Sequence, residues 1–269
     1  MAQYARFVRD GVATWAQVSG DELRPLTAAP YAGGKLDGTA VALRGADLLA
    51  PCQPSKIVCV GKNYYDHALE MNQGVPDNPI LFIKPSTSLA APGALVTRPR
   101  TCQRLDYEGE LAFVISRPAY RVPAAQAADY IFGYTICNDV TARDLQTADG
   151  QWTRAKGFDG FAPIGPYLVS GVDPADLRLT TRLNGQVKQS ASTAQMMVGV
   201  PELVEFITEV MTLLPGDVVS TGTPAGVGPM ADGDEVSVSI ESIGTLTNPI
   251  SWETGYPRAT PLVGPEGSA

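Results

Sequence analysis

LDYEGELAFVIS, residues 105–116, is the longest strand candidate in the chain. Alternate side chains of a strand share a face. Asp106, Glu108 and Glu110 therefore fall on one side with Ala112 and Val114, and Tyr107, Leu111, Phe113 and Ile115 fall on the other. At its far end the segment is apolar on both sides, which predicts a strand covered on both faces. Carboxylates at the entrance of such a strand approach a partly buried place, where like charges are costly unless a cation neutralises them. The same alternation also suits a half-exposed strand with one solvated acidic face.

Working outward, YIFGYTICND (residues 130–139) reads as a second strand, apolar until it ends in Asn138-Asp139. Asp139 opens VTARDLQ, read as a short helix, in which Arg143 and Gln146 share a face with it at i+4 and i+7. Histidine and thiolate are scarce around this charged set. Oxygen ligands suit Mg²⁺, Mn²⁺ or Ca²⁺ rather than zinc.

KIVCVG and PILFIKP are strand candidates upstream, and LRLTTRLNGQ, DVVSTG, DEVSVSIESIG and TLTNPI are strand candidates downstream, with Gly or Asn-Gly turns between them. VPELVEFITEVMTLL is an amphipathic helix with Leu203, Phe206, Ile207, Val210 and Leu214 on one side. YARFV, VATWAQV and ELRPLT read as short strands joined by turns at Arg9-Asp10-Gly11 and Ser19-Gly20-Asp21. This pattern predicts a small β-rich N-terminal domain over residues 1–50 and a main domain over 51–269. The tail from about Gly255 is rich in Pro and Gly and reads as loose. The fold class is mixed α/β, with β content highest.

The chain has 269 residues, 44% of them apolar, and a formal net charge of −8. That charge argues against nucleic acid as a partner, since phosphate binding needs basic patches. No apolar stretch approaches the roughly 18 residues of a membrane span, and MAQYARFVRDGV lacks the apolar core of a signal peptide. Four cysteines, at 52, 59, 102 and 137, form no CxxC pair. They read as reduced thiols of a cytoplasmic protein, with Cys59 and Cys137 as small core residues. TGTPAGVGP lacks the Gly-Lys-Ser/Thr ending of a phosphate loop. The one histidine, His67, lies in DHALE with Glu70 three residues on, a spacing that brings both onto one helical face. By itself a lone histidine reads as a surface or satisfied core residue.

GKNYYDHALEM, PILFIKPSTSLAAPG, DYEGELAFVI, FGYTICNDVTARDLQ, WTRAKGFDGFAPIGP, LNGQVKQ and GDVVSTGTPAGVGP follow one another in order. Together, across roughly residues 55–250, they resemble the fumarylacetoacetate hydrolase family, which includes acylpyruvate hydrolases, decarboxylases and isomerases. The first fifty residues resemble the small N-terminal domain many members carry. The resemblance implies a β-roll core, a homodimer, Mg²⁺ or Mn²⁺ as cofactor, and a small 2-oxo acid as substrate. It places the metal ligands on Glu108, Glu110 and Asp139, a choice that spacing alone does not make over Asp106; Asp106 would hold a ligand or its water. It places the lid pair on His67 and Glu70 and the active-site lysine on Lys156. Arg143, Gln146 and Thr223 would contact the substrate, with Gln189 nearby. Lys62 stands where relatives often have Leu or Arg.

The expected reaction is metal-dependent hydrolysis of a C–C bond in a 2,4-dioxo acid of the acylpyruvate or fumarylpyruvate type, through a chelated enolate, with His67 activating water. The alternatives are oxaloacetate decarboxylation and isomerisation of the 2-hydroxymuconate kind on the same scaffold. A non-catalytic metal-binding protein is the remaining reading.

Overall fold

The acidic segment folds as two strands, not one. In this computed structural model, which describes residues 1–70 and 76–253, Leu105–Tyr107 joins a three-stranded sheet with Thr141–Ala142 and Gly228–Met230. Gly109–Ile115 lies inside a separate twelve-stranded sheet. The break is Glu108, whose amide donates to Asn138 Oδ1 and whose carbonyl accepts the Asp139 amide, both at 2.9 Å. The predicted helix also starts later than its pattern suggested. Thr141 and Ala142 pair with Asp106 and Leu105, so helix α2 runs only over Arg143–Asp149. The other helices are α1 (Tyr65–Glu70), α3 (Thr153–Lys156) and α4 (Val200–Val210).

The large sheet runs through Glu22–Leu26, Val12–Ser19, Ala2–Arg9, Ala162–Ser170, Ile131–Asn138, Gly109–Ile115, Val218–Ser220, Lys56–Gly61 and Ile80–Pro85. Its neighbours along this path are antiparallel except Val218–Ser220 beside Lys56–Gly61. A five-stranded sheet carries Gln186–Ser192, Arg178–Leu183, Glu235–Ile240, Gly244–Trp252 and Val96–Arg98. The fold is therefore β-rich mixed α/β. The N-terminal strands form the expected meander, with the first turn carried by positive φ at Asp10 and Gly11. Its first strand pairs Ala2, Gln3 and Tyr4 with Ser170, Val169 and Leu168, so the meander continues the large sheet.

Ala162–Ser170 is a central strand that no sequence pattern announced. Pro163, Gly165 and Pro166 read as strand breakers. The sheet accommodates them through a register irregularity opposite Tyr134 and Ile136.

Gly109–Ile115 is covered on both faces, as its apolar end predicts. Leu111, Phe113 and Ile115 pack with Val58, Val219 and Leu203. Ala112 and Val114 pack with Ile57, Cys59, Cys137 and Ile164. Burial pushes the Cys59 and Cys137 thiols well up, as fits inert core positions. Helix α4 buries Val200, Leu203, Val204, Ile207 and Thr208. Its face is rotated from the expected one: Val210 is 63% exposed, and Leu214, 44% exposed, lies beyond the helix. Thr208 sets the rotation, because its hydroxyl accepts the Val122 amide at 2.9 Å and its carbonyl the Arg121 amide at 3.0 Å.

Among the described residues no helix is long and apolar enough to cross a membrane. The tail read as loose from about Gly255 lies outside the described residues.

Candidate active site

Glu108 at the strand break, Glu110 one residue into the next strand, and Asp139 just past Ile131–Asn138 each place a carboxylate oxygen within 4.8 Å of the others. All three are buried. Two lysines and an arginine face them. Lys156 Nζ, at the end of α3, donates to Glu108 Oε2 at 2.7 Å and to Asp139 Oδ2 at 2.6 Å. Lys84 Nζ donates to Asp139 Oδ1 at 2.5 Å and to the Val140 carbonyl at 3.1 Å. Sequence reasoning missed Lys84; its one signal was a lysine inside the apolar run ILFIK.

Arg143 does not hold a free fork toward the cavity. Its Nε donates to Asp106 Oδ2 at 2.9 Å, Nη2 to Glu108 Oε1 at 2.5 Å, and Nη1 to Gln146 Oε1 at 2.6 Å. Asp106 also takes two hydrogen bonds from Arg104, at 2.9 and 3.1 Å. It therefore orients Arg143.

Glu110 stands apart electrostatically. Its Oε2 accepts only neutral donors, Ser220 Oγ at 2.6 Å and the Gly222 amide at 2.9 Å. Burial, then Asp139 and Glu108, pushes its carboxyl up to about 8. Burial acts the same way on Glu108, but Lys156, Arg143 and His67 outweigh it and hold that carboxyl well below the usual range. Burial would lower the Lys156 ammonium, and Asp139 and Glu108 outweigh it and raise the group. The cluster is thus short of positive charge beside Glu110. An all-oxygen donor set with that deficit fits a hard divalent cation of the Mg²⁺ or Mn²⁺ kind.

Eight of the nine residues singled out for the site line one cavity of about 280 Å³, and Glu70 stands just behind it. His67, buried on α1, lies with Nδ1 3.3 Å from Glu70 Oε2. The Glu70 carboxylate accepts the Gly226 amide at 3.1 Å. The Gly-rich loop TGTPAGVGP thus anchors the partner of the histidine, a task its sequence did not reveal. Gly226 is needed there: its φ is +100°, and a Cβ would lie 2.1 Å from the Lys188 carbonyl oxygen. Thr223 lines the cavity, but its hydroxyl donates to the Gly109 carbonyl at 2.9 Å and accepts from Gln189 Nε2 at 2.8 Å. Gln189 lies outside the cavity lining and braces Gly109, Thr223 and Pro224. Trp152, between α2 and α3, forms a further wall, its ring edge-on to Phe82 at 5.1 Å.

Residues 56–251 match the pattern described as fumarylacetoacetate (FAA) hydrolase C-terminal, and residues 2–51 match Rv2993c-like, N-terminal. The chain belongs to the fumarylacetoacetate hydrolase family. Within the family it is similar to the oxaloacetate tautomerase YisK of Bacillus subtilis, at 42% identity over 75% of this chain and 70% of the relative. The structure resembles the 2-hydroxyhepta-2,4-diene-1,7-dioate isomerase of Mycobacterium marinum, with a TM-score of 0.89 and 46% identity over 95% of this chain and all of that one. It also resembles the maleylpyruvate hydrolase of Sphingobium sp. SYK-6 in complex with manganese and pyruvate, with a TM-score of 0.78 and 26% identity over 93% of this chain and 99% of that one. These fumarylacetoacetate hydrolase family relatives carry tautomerase, isomerase and hydrolase names, so this chain is an enzyme of a family whose chemistry varies on one scaffold.

Proposed function

We propose that the enzyme moves a proton at the carbon beside the keto group of a small 2-oxo acid, interconverting keto and enol or double-bond isomers, with Mg²⁺ or Mn²⁺ bound. The observation that carries the reading is the His67–Glu70 pair, 3.3 Å apart, on the same cavity as the Glu108, Glu110 and Asp139 cluster. The tautomerase and isomerase names of relatives at 42% and 46% identity support it.

Glu108, Glu110 and Asp139 would hold the dication, which would supply Lewis acidity toward a 2-oxo acid. The residues do the rest. Glu70, fixed by the Gly226 amide, takes the Nδ1 proton of His67 as a hydrogen bond and leaves Nε2 as the basic nitrogen. Nε2 accepts the proton from the carbon next to the ketone; the C–H electron pair becomes the C=C bond, the C=O π pair moves onto the keto oxygen, and the imidazolium delivers its proton to that oxygen, which restores the base. Lys156 adds positive charge beside that oxygen as negative charge develops on it. Arg143 acts through Glu108, holding its carboxylate ionised and in place.

C–C hydrolysis is the second reading, favoured by the likeness to a maleylpyruvate hydrolase and by the same histidine, which can equally take a proton from water. Attack of that water on the acyl carbonyl of a 2,4-dioxo acid, with cleavage of the C–C bond, yields a carboxylic acid and pyruvate. The deciding experiment follows enol loss and pyruvate release from oxaloacetate beside product formation from acetylpyruvate, with Mn²⁺ and Mg²⁺, for the wild type and His67→Ala. Isomerisation predicts fast interconversion of oxaloacetate enol and keto forms, lost in the variant, with little acetate from acetylpyruvate. Acetate and pyruvate formed faster than the interconversion would replace it with hydrolysis, and pyruvate from oxaloacetate would indicate decarboxylation.

A further inference from the structure

Lys62 has a backbone conformation that the catalytic reading does not use. It sits at φ +57° directly after the Lys56–Gly61 strand and lines the cavity. That region is unfavourable for a residue with a β-carbon and is held only when the surroundings enforce it. Here they do. Asn63 Nδ2 donates to the Val198 and Thr221 carbonyls at 2.9 Å each, and its Oδ1 accepts the Val198 amide at 2.9 Å. On the other side, Gly61 makes room for Trp152: a Cβ at position 61 would lie 2.6 Å from the indole ring. The turn is clamped at both ends, and the clamp sets Lys62 and Trp152 on the same cavity.

The inner cations are already committed. Lys84 serves Asp139, Lys156 serves Glu108 and Asp139, and Arg143 serves Asp106 and Glu108. Among the described residues Lys62 is the one cation of the cavity lining with no ion pair or hydrogen bond. With Asp106 and Arg104 set aside as a pair, three carboxylates meet three cations at the centre. A bound dication then leaves two positive charges, matching one substrate carboxylate and the charge that develops on its keto oxygen. A second carboxylate finds no counter-charge there, and Lys62 supplies one at another point of the same cavity.

We propose that Lys62 receives the distal carboxylate of a dicarboxylic 2-oxo acid, with Trp152 packed along the chain between the two ends, so that the enzyme selects diacids over monoacids. This rests on the 2-oxo acid reading above and names its substrate class.

The test is calorimetric binding of 2-oxoglutarate and 2-oxovalerate, five-carbon acids that differ in the distal carboxylate, to the Mn²⁺-loaded enzyme. Four forms are compared: wild type, Lys62→Met, Lys62→Arg and Lys62→Gly. The wild type binds the diacid about tenfold or more tightly over the monoacid. Lys62→Met removes that preference, leaving monoacid affinity within about twofold, and Lys62→Arg keeps it. Lys62→Gly suits the positive φ, so it also loses the preference while its melting temperature stays at or above that of the wild type. Equal binding of the two acids by the wild type, or equal weakening of both in Lys62→Met, overturns the proposal. Oxaloacetate turnover by the same wild-type sample separates the two ideas. No turnover with an intact, Lys62-dependent preference sinks the catalytic reading alone. Turnover with no dependence on Lys62 sinks the diacid site alone.

Discussion

Glu70 accepts the amide proton of Gly226 at 3.1 Å across 156 residues of sequence, and the same carboxylate lies 3.3 Å from His67 Nδ1. The Gly-rich loop therefore fixes the orientation of His67 through the carboxylate. Glu70→Gln keeps an acceptor for both donors but removes the negative charge beside the imidazole. Turnover is expected to fall on the order of 100-fold with KM within a few-fold. Steady-state kinetics on the preferred 2-oxo acid check this, and a change confined to KM would show that Glu70 only positions substrate.

Gly226→Ala acts differently. The new Cβ meets the Lys188 carbonyl in a backbone conformation with φ +100°. Both melting temperature and turnover should fall, whereas Glu70→Gln should leave the melting temperature within a few degrees. Parallel thermal scans of the two variants decide it.

Metal binding should be visible as stability. A ligand present at about 100 times its dissociation constant adds roughly 2.7 kcal/mol, which corresponds to about 5–10 °C in a chain of this size. Mn²⁺ should raise the melting temperature of the wild type by that order. Glu110→Gln removes one of the three carboxylates and should lose most of the rise. A rise of equal size in this variant would place the cation elsewhere.

Lys84 is fully buried against Asp139. Lys84→Met leaves that carboxylate with Lys156 as its one remaining ion-pair partner among the described residues and should cost about 3 kcal/mol, as when one member of a buried pair is removed. Adding Asp139→Asn to Lys84→Met should recover part of the loss in urea unfolding. Simple addition of the two single costs would mean that the residues are not coupled.

Asp217 ties the start of the Lys56–Gly61 strand to the Val218–Ser220 strand beside it. Its carboxylate takes the Lys56 ammonium at 2.6 Å and the Ser55 hydroxyl at 2.7 Å. Burial raises its carboxyl, but Lys56 and Ser55 outweigh this and hold it below its ordinary value of 3.8. A depressed carboxylate contributes stability that is full above that ordinary value and is lost as pH falls through the folded one. Asp217→Asn should therefore destabilise the protein by about 1–3 kcal/mol at pH 7, and the gap to wild type should close below pH 3.8. Urea midpoints at pH 7 and on acidification test this. A gap independent of pH would assign the loss to packing.

Much of the β framework was legible because it is local. Alternation marked Gly109–Ile115 as covered on both faces, and glycine-containing turns delimited the N-terminal meander. The oxygen-only character of the buried cluster was also legible, since it depends on which side chains are scarce. The resemblance, spread over some two hundred residues, was needed to single out Glu108, Glu110 and Asp139, because spacing did not distinguish them from Asp106.

Tertiary structure decided the rest. Asn138 and Asp139 hold both backbone groups of Glu108, and that break sends Asp106 to Arg143 while Glu108 and Glu110 converge. Lys84 reaches Asp139 from 55 residues away, and Ala162–Ser170 remains a central strand despite its prolines because two partner strands hold it. The physical reason is common to all of these. Backbone preference and side-chain alternation act between near neighbours in sequence. The charges that share a buried site are chosen by strands brought side by side, and their partners appear only when the sheet is assembled.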